Sequence, residues 1–317
     1  MPLIYESSYT KRPFLLFNSY LETLYPFLTT KVHQIPYDRE KLELEDGDFL
    51  DLDWVTNSSD TLVIFSHAFE GNSKDHFIEK SVSYLTKKGY DSLVWHYRSC
   101  GGELNRLPRL YSQGDIQDLN AVVNYAIEKK SYKQIILVGF SMGGSIVINY
   151  LGSDLVHPNI KGSIVFSTPL DLKSASQKLT KGLNWFIHQN FLAKMKKKLK
   201  RKAAQFPDHY QLDRLKTIKN LSALSEQFIL PLLGFPTMDD YAEKWSSHQF
   251  LPKIKVPLLI VNAKNDPILS ENCFPYEACE KSEFVHLETP KFGGHTGFSK
   301  KVNGELWYVK RVWEFID

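Results

Sequence analysis

Residues 135–150 read Ile135-Ile136-Leu137-Val138-Gly139-Phe140-Ser141-Met142-Gly143-Gly144-Ser145-Ile146-Val147-Ile148-Asn149-Tyr150. A β-branched apolar run leads into a glycine-flanked serine, and a second apolar run with helical spacing leaves it. That order of strand, tight turn and helix puts the serine hydroxyl at the tip of a sharp bend, where flanking side chains would collide with neighbouring backbone. The pentapeptide itself arises often by chance. Its position between strand and helix is what makes Ser141 a candidate nucleophile.

The surrounding chain repeats this alternation. Short apolar runs at Thr61–Ser66, Ser92–His96, Gln134–Gly139, Gly162–Ser167, Pro257–Ala263 and Phe284–Leu287 have the length and composition of buried parallel strands. Helix-period segments at Asp75–Lys88, Gly114–Lys130 and Met142–Leu151 lie between the first four, which predicts an α/β fold with a doubly wound, mostly parallel sheet. Residues 41–55 alternate apolar and polar on both sides of Asp46-Gly47, the pattern of an antiparallel N-terminal hairpin. After Pro169 the alternation stops and helical patterns run to Lys255. We therefore expect a core built from residues 1–169 and 256–317, with 170–255 inserted as a helical cap. Gly304–Asp317 reads as a terminal helix packed on the sheet.

A serine hydroxyl needs an adjacent base, usually a histidine held in one tautomer by a carboxylate. Where the nucleophile sits on a strand-to-helix turn, the acid and then the histidine follow it in the chain. Asp266, in Lys264-Asn265-Asp266-Pro267 after a late strand, suits the acid, and His295, in Phe292-Gly-Gly-His-Thr-Gly-Phe298, suits the base. Taken alone, Asp266 is also a turn-former before Pro267 and His295 a surface loop residue. His286 competes for the base role but falls inside an apparent strand. Two backbone donors are needed for an oxyanion: Met142 follows the nucleophile, and Phe69 lies in the loop His67-Ala68-Phe69-Glu70-Gly71 after the first core strand. His67 reads as a residue that shapes this loop by hydrogen bonding. Trp185, Phe186 and Phe228 are candidates for lining an acyl pocket together with Phe191, with simple core packing as the alternative.

Composition narrows the field. Hydrophobic residues make up 43% and charged residues 24% of the 317, the balance of a globular chain with a sizeable core. A net charge of +3, with no zinc-finger spacing or Arg-rich recognition pattern, gives no reason to expect a nucleic-acid partner. The three cysteines, Cys100, Cys273 and Cys279, include no C-x-x-C pair and suit a reducing compartment. The start lacks the pattern of a secretory signal and no apolar run is long enough to span a bilayer, so a cytoplasmic location is expected. No His/Asp/Glu spacing calls for a metal, and no organic cofactor is expected. The run 194–202 carries seven basic residues and reads as a solvated helical face, with weak peripheral contact to anionic lipid as the alternative.

Several longer stretches resemble the YheT-like branch of the α/β-hydrolases: Asn18-Ser-Tyr-Leu-Glu-Thr-Leu24, Leu42–Trp54, Arg98-Ser-Cys-Gly-Gly-Glu-Leu-Asn-Arg-Leu-Pro-Arg-Leu-Tyr111, the Ser141 turn and Gly293–Phe298. The resemblance implies the α/β-hydrolase fold, with Ser141, Asp266 and His295 as nucleophile, acid and base, and esters of short- or medium-chain acids as small-molecule substrates. Acyl transfer to an alcohol would use the same intermediate, and a catalytically silent binding protein could keep the same fold. Two departures stand out. Ala68 occupies a position that commonly shows Gly in this branch, and Leu224–Phe235 lacks the acidic pair expected there.

Overall fold

The computed structural model describes residues 3–29 and 35–316. In chain order these form β1 (Leu3–Ile4), α1 (Ser19–Thr29), β2 (Asp38–Glu43), β3 (Phe49–Val55), β4 (Thr61–Ser66), α2 (His76–Lys87), β5 (Asp91–Trp95), α3 (Ile116–Lys129), β6 (Gln134–Phe140), α4 (Met142–Leu151) and β7 (Ile160–Phe166). A helical segment follows, with α5 (Leu172–Leu179), α6 (Asn184–Gln205), α7 (Leu212–Thr217), α8 (Leu221–Phe228) and α9 (Met238–Trp245). The chain then returns through β8 (Leu258–Val261), α10 (Tyr276–Glu280), β9 (Val285–Glu288), β10 (Lys301–Val302), β11 (Glu305–Leu306) and α11 (Trp307–Ile316).

Nine strands make one sheet in the order β1-β9-β8-β7-β6-β4-β5-β3-β2. The pairs from β1 to β5 are parallel, whereas β3 runs antiparallel to both β5 and β2. Period-two alternation sorts each strand's side chains between two layers. Leu62, Ile64, Ile135 and Leu137 face the layer of α3 and α4, while Val63, Phe65, Ile136, Val138 and Phe140 face that of α2 and α11. Because helices cover both faces, β4 and β6 are apolar on both faces between their end residues, at Leu62–Phe65 and Ile135–Val138. The chain passes from β4 to β5 on one side and then to β6 on the other. That switch of direction opens a crevice at the carboxyl ends of β4 and β6, where ligands collect in open α/β sheets. The loop 67–75 and Ser141 both lie there.

The terminal helix begins at Trp307, later than the apolar spacing predicts. Asn303 (φ 54°) and Gly304 (φ 87°) form the left-handed turn of the β10–β11 ribbon, an Asn-Gly hairpin signal that the helical reading passed over. β1 was not legible either: two residues carry no periodicity, and they become a strand only by pairing with Leu287 and Glu288.

Residues 98–111 join the layers. Arg98 is buried and grips both carboxylate oxygens of Asp118 at 2.8 Å, while its Nη1 reaches Asp48 at 2.8 Å in the β2–β3 turn. Asn105 donates from Nδ2 to the carbonyls of Leu107 and Arg109 as well as to Asp48. Burial works against the Asp48 charge, but hydrogen bonds from Asn105, the Arg106 N–H and Arg98 outweigh it and hold the carboxyl below its ordinary range. From the helical segment, Lys202 donates to the carbonyls of Asn105 and Leu107, and the Tyr210 hydroxyl to that of Pro108. Replacing Arg98 by Met should take the guanidinium from two buried carboxylates, leaving Asp48 with its neutral donors and Asp118 with Arg109 at 3.5 Å, and should cost about 3–5 kcal/mol of unfolding free energy, measurable by urea titration. A loss within experimental error would mean that the network adds no stability.

Candidate active site

Ser141 has φ 52° and ψ −117°, a backbone conformation rarely adopted by a residue with a side chain. The turn is held by the Ser141 N–H donating to the Phe166 carbonyl on β7, and by α4 starting at the next residue. Only glycine fits at 143: a Cβ there would stand 2.2 Å from the carbonyl oxygen of Ser66 at the end of β4. The bend thus presents the serine hydroxyl at the crevice between β4 and β6.

His295 approaches from the loop after β9, and its Nε2 lies 2.9 Å from Ser141 Oγ. Its Nδ1 lies 2.8 Å from Oδ2 of Asp266, a buried carboxylate on the loop after β8. The other oxygen, Oδ1, accepts from the N–H groups of Ile268 and Leu269 at 2.8 and 3.2 Å, so the carboxylate is fixed in direction. The fold brings together three residues from three separate loops. His286 lies within β9.

Glu22 and Thr23 hold the histidine loop, and neither was singled out as a site residue. The Asn18 side chain accepts from the Leu21 N–H at 2.9 Å and starts α1. One turn on, buried Glu22 accepts from the Gly293 N–H, from Asn265 Nδ2 at 3.2 Å and from Arg12 at 3.3 Å. Thr23 Oγ1 accepts from the His295 N–H at 2.9 Å, and Asn265 Oδ1 from the Gly294 N–H at 3.1 Å. Helix α1 therefore ties the acid loop to the histidine loop. The motif Asn18–Leu24 is visible in the sequence, but no local pattern connects it with loops more than two hundred residues away.

Residues 68–71 form a turn closed by the Gly71 N–H donating to the Ala68 carbonyl at 3.0 Å, with Glu70 at φ 55°. The Glu70 N–H donates to the Tyr111 hydroxyl at 3.1 Å, and that hydroxyl donates back to Glu70 Oε1 at 2.6 Å. Lys198 of α6 forms a buried ion pair with the same carboxylate. Fully buried His67 makes hydrogen bonds through both ring nitrogens, Nδ1 with the Ala68 carbonyl at 2.7 Å and Nε2 with the Tyr97 N–H at 3.2 Å. Burial pushes its pKa well below the ordinary value and keeps the ring neutral. Phe69 and Met142 both face the space in front of Ser141, and Met142, as first residue of α4, has an N–H without a helical acceptor.

A cavity of about 270 Å³ opens from Ser141 and His295 toward the helical segment, lined mainly by apolar side chains including Leu172, Phe191, Met195, Leu224, Ile229 and Leu233. The aromatic candidates lie elsewhere, with Phe191 alone on the lining. Trp185 and Phe186 pack edge-on at 5.2 Å on the exposed first turn of α6, and Phe228 is buried among helical-segment residues beside Tyr210. Helical phase explains this: α6 turns Phe191, Met195 and Lys198 inward, which leaves its first-turn aromatics facing solvent. The same phase corrects the reading of 194–202 as a solvated face. Lys198 and Lys202 are buried and bound, Lys196 donates to the Ile218 carbonyl at 2.6 Å, and Lys194, Lys197, Lys200 and Arg201 remain exposed.

Residues 61–289 match the family model for the alpha/beta hydrolase fold, more than half the chain. The chain belongs to the α/β-hydrolase family. Within it, YheT of Escherichia coli (strain K12) is 27% identical over 305 residues, covering 93% of this chain and 89% of YheT. Mouse phospholipase ABHD3 is 26% identical over 302 residues, covering 92% and 73% of the two chains. This α/β-hydrolase is thus YheT-like, in a group of esterase- and lipase-like hydrolases. The Pyrococcus furiosus esterase Pf2001 shares its fold, with a TM-score of 0.60 at 20% identity over 89% of this chain and 92% of that one. Among the described residues no helix is long and apolar enough to cross a membrane.

Two stability measurements test this architecture. Glu22→Ala leaves the buried Gly293 N–H without its acceptor and should cost about 1–3 kcal/mol in urea unfolding; an unchanged midpoint would show that α1 does not hold the loop. Asp75, at the start of α2, is pushed up to about 6 by burial, partly offset by the Asn72 N–H. Its folded value lies above the unfolded value of about 4, so ionising it destabilises the fold progressively between pH 4 and 6 and fully above that. Asp75→Asn, which keeps an acceptor oxygen, should therefore raise the melting temperature at pH 8 relative to wild type. That gain should vanish near pH 4, and an equal gain at both would exclude titration of Asp75 as its source.

Proposed function

We propose that this protein hydrolyses carboxylic esters through an acyl-enzyme, with Ser141 as nucleophile, His295 as base and Asp266 as the acid that orients it. The observation that carries this reading is the hydrogen-bonded chain from Asp266 through His295 to Ser141, ending on a strained turn at the mouth of an apolar cavity. His295 Nε2 takes the hydroxyl proton as Oγ attacks the ester carbonyl, and Asp266 stabilises the imidazolium. The N–H groups of Phe69 and Met142 receive the developing oxyanion. His295 returns the proton to the departing alcohol. Water, deprotonated by the same nitrogen, then attacks the acyl-enzyme, and His295 returns that proton to Ser141 Oγ as the free acid leaves.

The cavity supports an acyl site. Its volume of about 270 Å³ lies at the small end of ligand pockets, which favours short- to medium-chain acids. On this reading the segment Leu170–Lys255 acts as a cap that sets acyl selectivity, while the sheet loops supply the chemistry. The names of mouse phospholipase ABHD3 and the Pf2001 esterase agree with ester cleavage.

A fluorophosphonate probe should label the wild-type chain, and Ser141→Ala should abolish both label and esterase turnover; labelling that persists in the variant would refute the nucleophile. His295→Ala should lower kcat by a factor on the order of 10³ or more, whereas His286→Ala should leave kcat near wild type. Across an ester series of increasing chain length, Phe191→Ala or Leu233→Ala should move the optimum of kcat/KM toward longer acids by about tenfold in relative preference. Trp185→Ala and Phe186→Ala should leave it in place. Uniform scaling of every ester by the Phe191 and Leu233 variants would remove the helical segment as the selectivity element.

A further inference from the structure

Helix α1 is built inside out. Its buried side carries Glu22 and Thr23, which bind the histidine loop, while Leu24, Tyr25 and Leu28 are 45%, 43% and 82% exposed. Phe17, Leu21, Leu24 and Leu28 recur at helical spacing as one apolar stripe, and Phe14 and Leu15 just before the helix are 95% and 75% exposed. A helix on a globular surface normally turns its apolar stripe to the core. A second exposed apolar group, Leu183, Trp185 and Phe186, is anchored on the same loop: Asn265 binds Glu22 of α1, while Asn184 binds the carbonyl of Pro267 at 2.6 Å. Both groups thus sit beside the loop that carries Asp266, at the end of the sheet where the cavity lies.

We infer that this face docks on an anionic lipid surface, laying the apolar residues of α1 and of the start of α6 into the headgroup region beside the site. Charge selects that occupant. On residues 8–29, 180–190, 264–268 and 291–298 every exposed charged side chain is positive, namely Lys11, Lys181, Lys264 and Lys291. Aromatic and leucine side chains rimmed by lysine are the composition that binds membrane interfaces. A second copy of the chain meeting the same face by two-fold symmetry would set one lysine-rimmed surface against another, with no exposed carboxylate on these residues to pair with them. Contact with lipid would also press on α1, whose inner side ties the acid and histidine loops together.

The test uses the full chain and co-sedimentation with vesicles of phosphatidylcholine alone or mixed with phosphatidylglycerol, at low ionic strength. Sedimentation requires no turnover, so its outcome is independent of the proposed esterase chemistry. We expect binding only to the mixed vesicles. The combined variant Phe14→Ser, Leu15→Ser, Leu28→Ser and the charge variant Lys11→Glu, Lys181→Glu should each weaken it by about tenfold or more. Lys197→Glu with Lys200→Glu, on exposed positions of the basic run, should bind as wild type, and the melting temperatures of all three should stay near wild type. Absence of binding to mixed vesicles overturns the inference, as does binding that only the Lys197/Lys200 variant weakens. A wild-type dimer in light scattering that the Phe14/Leu15/Leu28 variant dissociates would assign the face to a second copy instead.

Discussion

A serine held at φ 52° and ψ −117° stores conformational strain, on the order of 1–3 kcal/mol, that a free chain would release. The surrounding sheet makes release impossible. β6 is paired on both sides, by β4 and by β7, the Ser141 N–H is taken by Phe166, and α4 leaves at once with Gly143 against the end of β4. The bend can therefore relax only if the centre of the sheet comes apart. Everything else in the site is arranged around a hydroxyl whose position the core has already decided.

The partners of that hydroxyl are loop residues and need their own supports. Asp266 is oriented by the backbone N–H groups that follow it, and the loop of His295 hangs from the inner side of α1. On the opposite wall, the turn 68–71 is braced by Tyr111 and by a lysine reaching in from α6. Buried charge is used here as a joint. Arg98 with Asp48 and Asp118, Lys198 with Glu70, and Lys202 on two carbonyls each link elements from different parts of the chain, at buried positions where losing the cation would leave a carboxylate or carbonyl away from water without its strongest partner. Two lysines of a basic run, Lys198 and Lys202, thus join apolar contacts and other hydrogen bonds in holding the helical segment over the site.

The candidate site was legible because it depends on local backbone. Strand, glycine-flanked serine and helix are contiguous, and the acid and histidine loops follow recognisable strands, so Ser141, Asp266 and His295 could be picked out one by one. The central strands were equally plain, since burial on both faces gives them short apolar runs such as Leu62–Phe65 and Ile135–Val138. What escaped was whatever depends on rotation or on distant pairing. β1 is a strand only because of β9, the Asn303-Gly304 turn was hidden within a helix-like spacing, and Glu22 has no marker beyond belonging to a short motif.

The sequence by itself determined the order of elements, the strained turn and the identity of the three polar residues that meet there, because each rests on short-range periodicity or on glycine where a side chain cannot fit. Tertiary structure alone decided which aromatics border the cavity and which lysines are buried. Trp185, Phe186 and Phe191 look alike in a list of residues, and so do Lys197 and Lys198, but a helix places each about 100° from the next. Once α6 is docked, that rotation leaves Trp185 and Phe186 in solvent and brings Phe191 to the cavity and Lys198 to Glu70. No window of sequence shorter than the packed segment contains the phase of that docking.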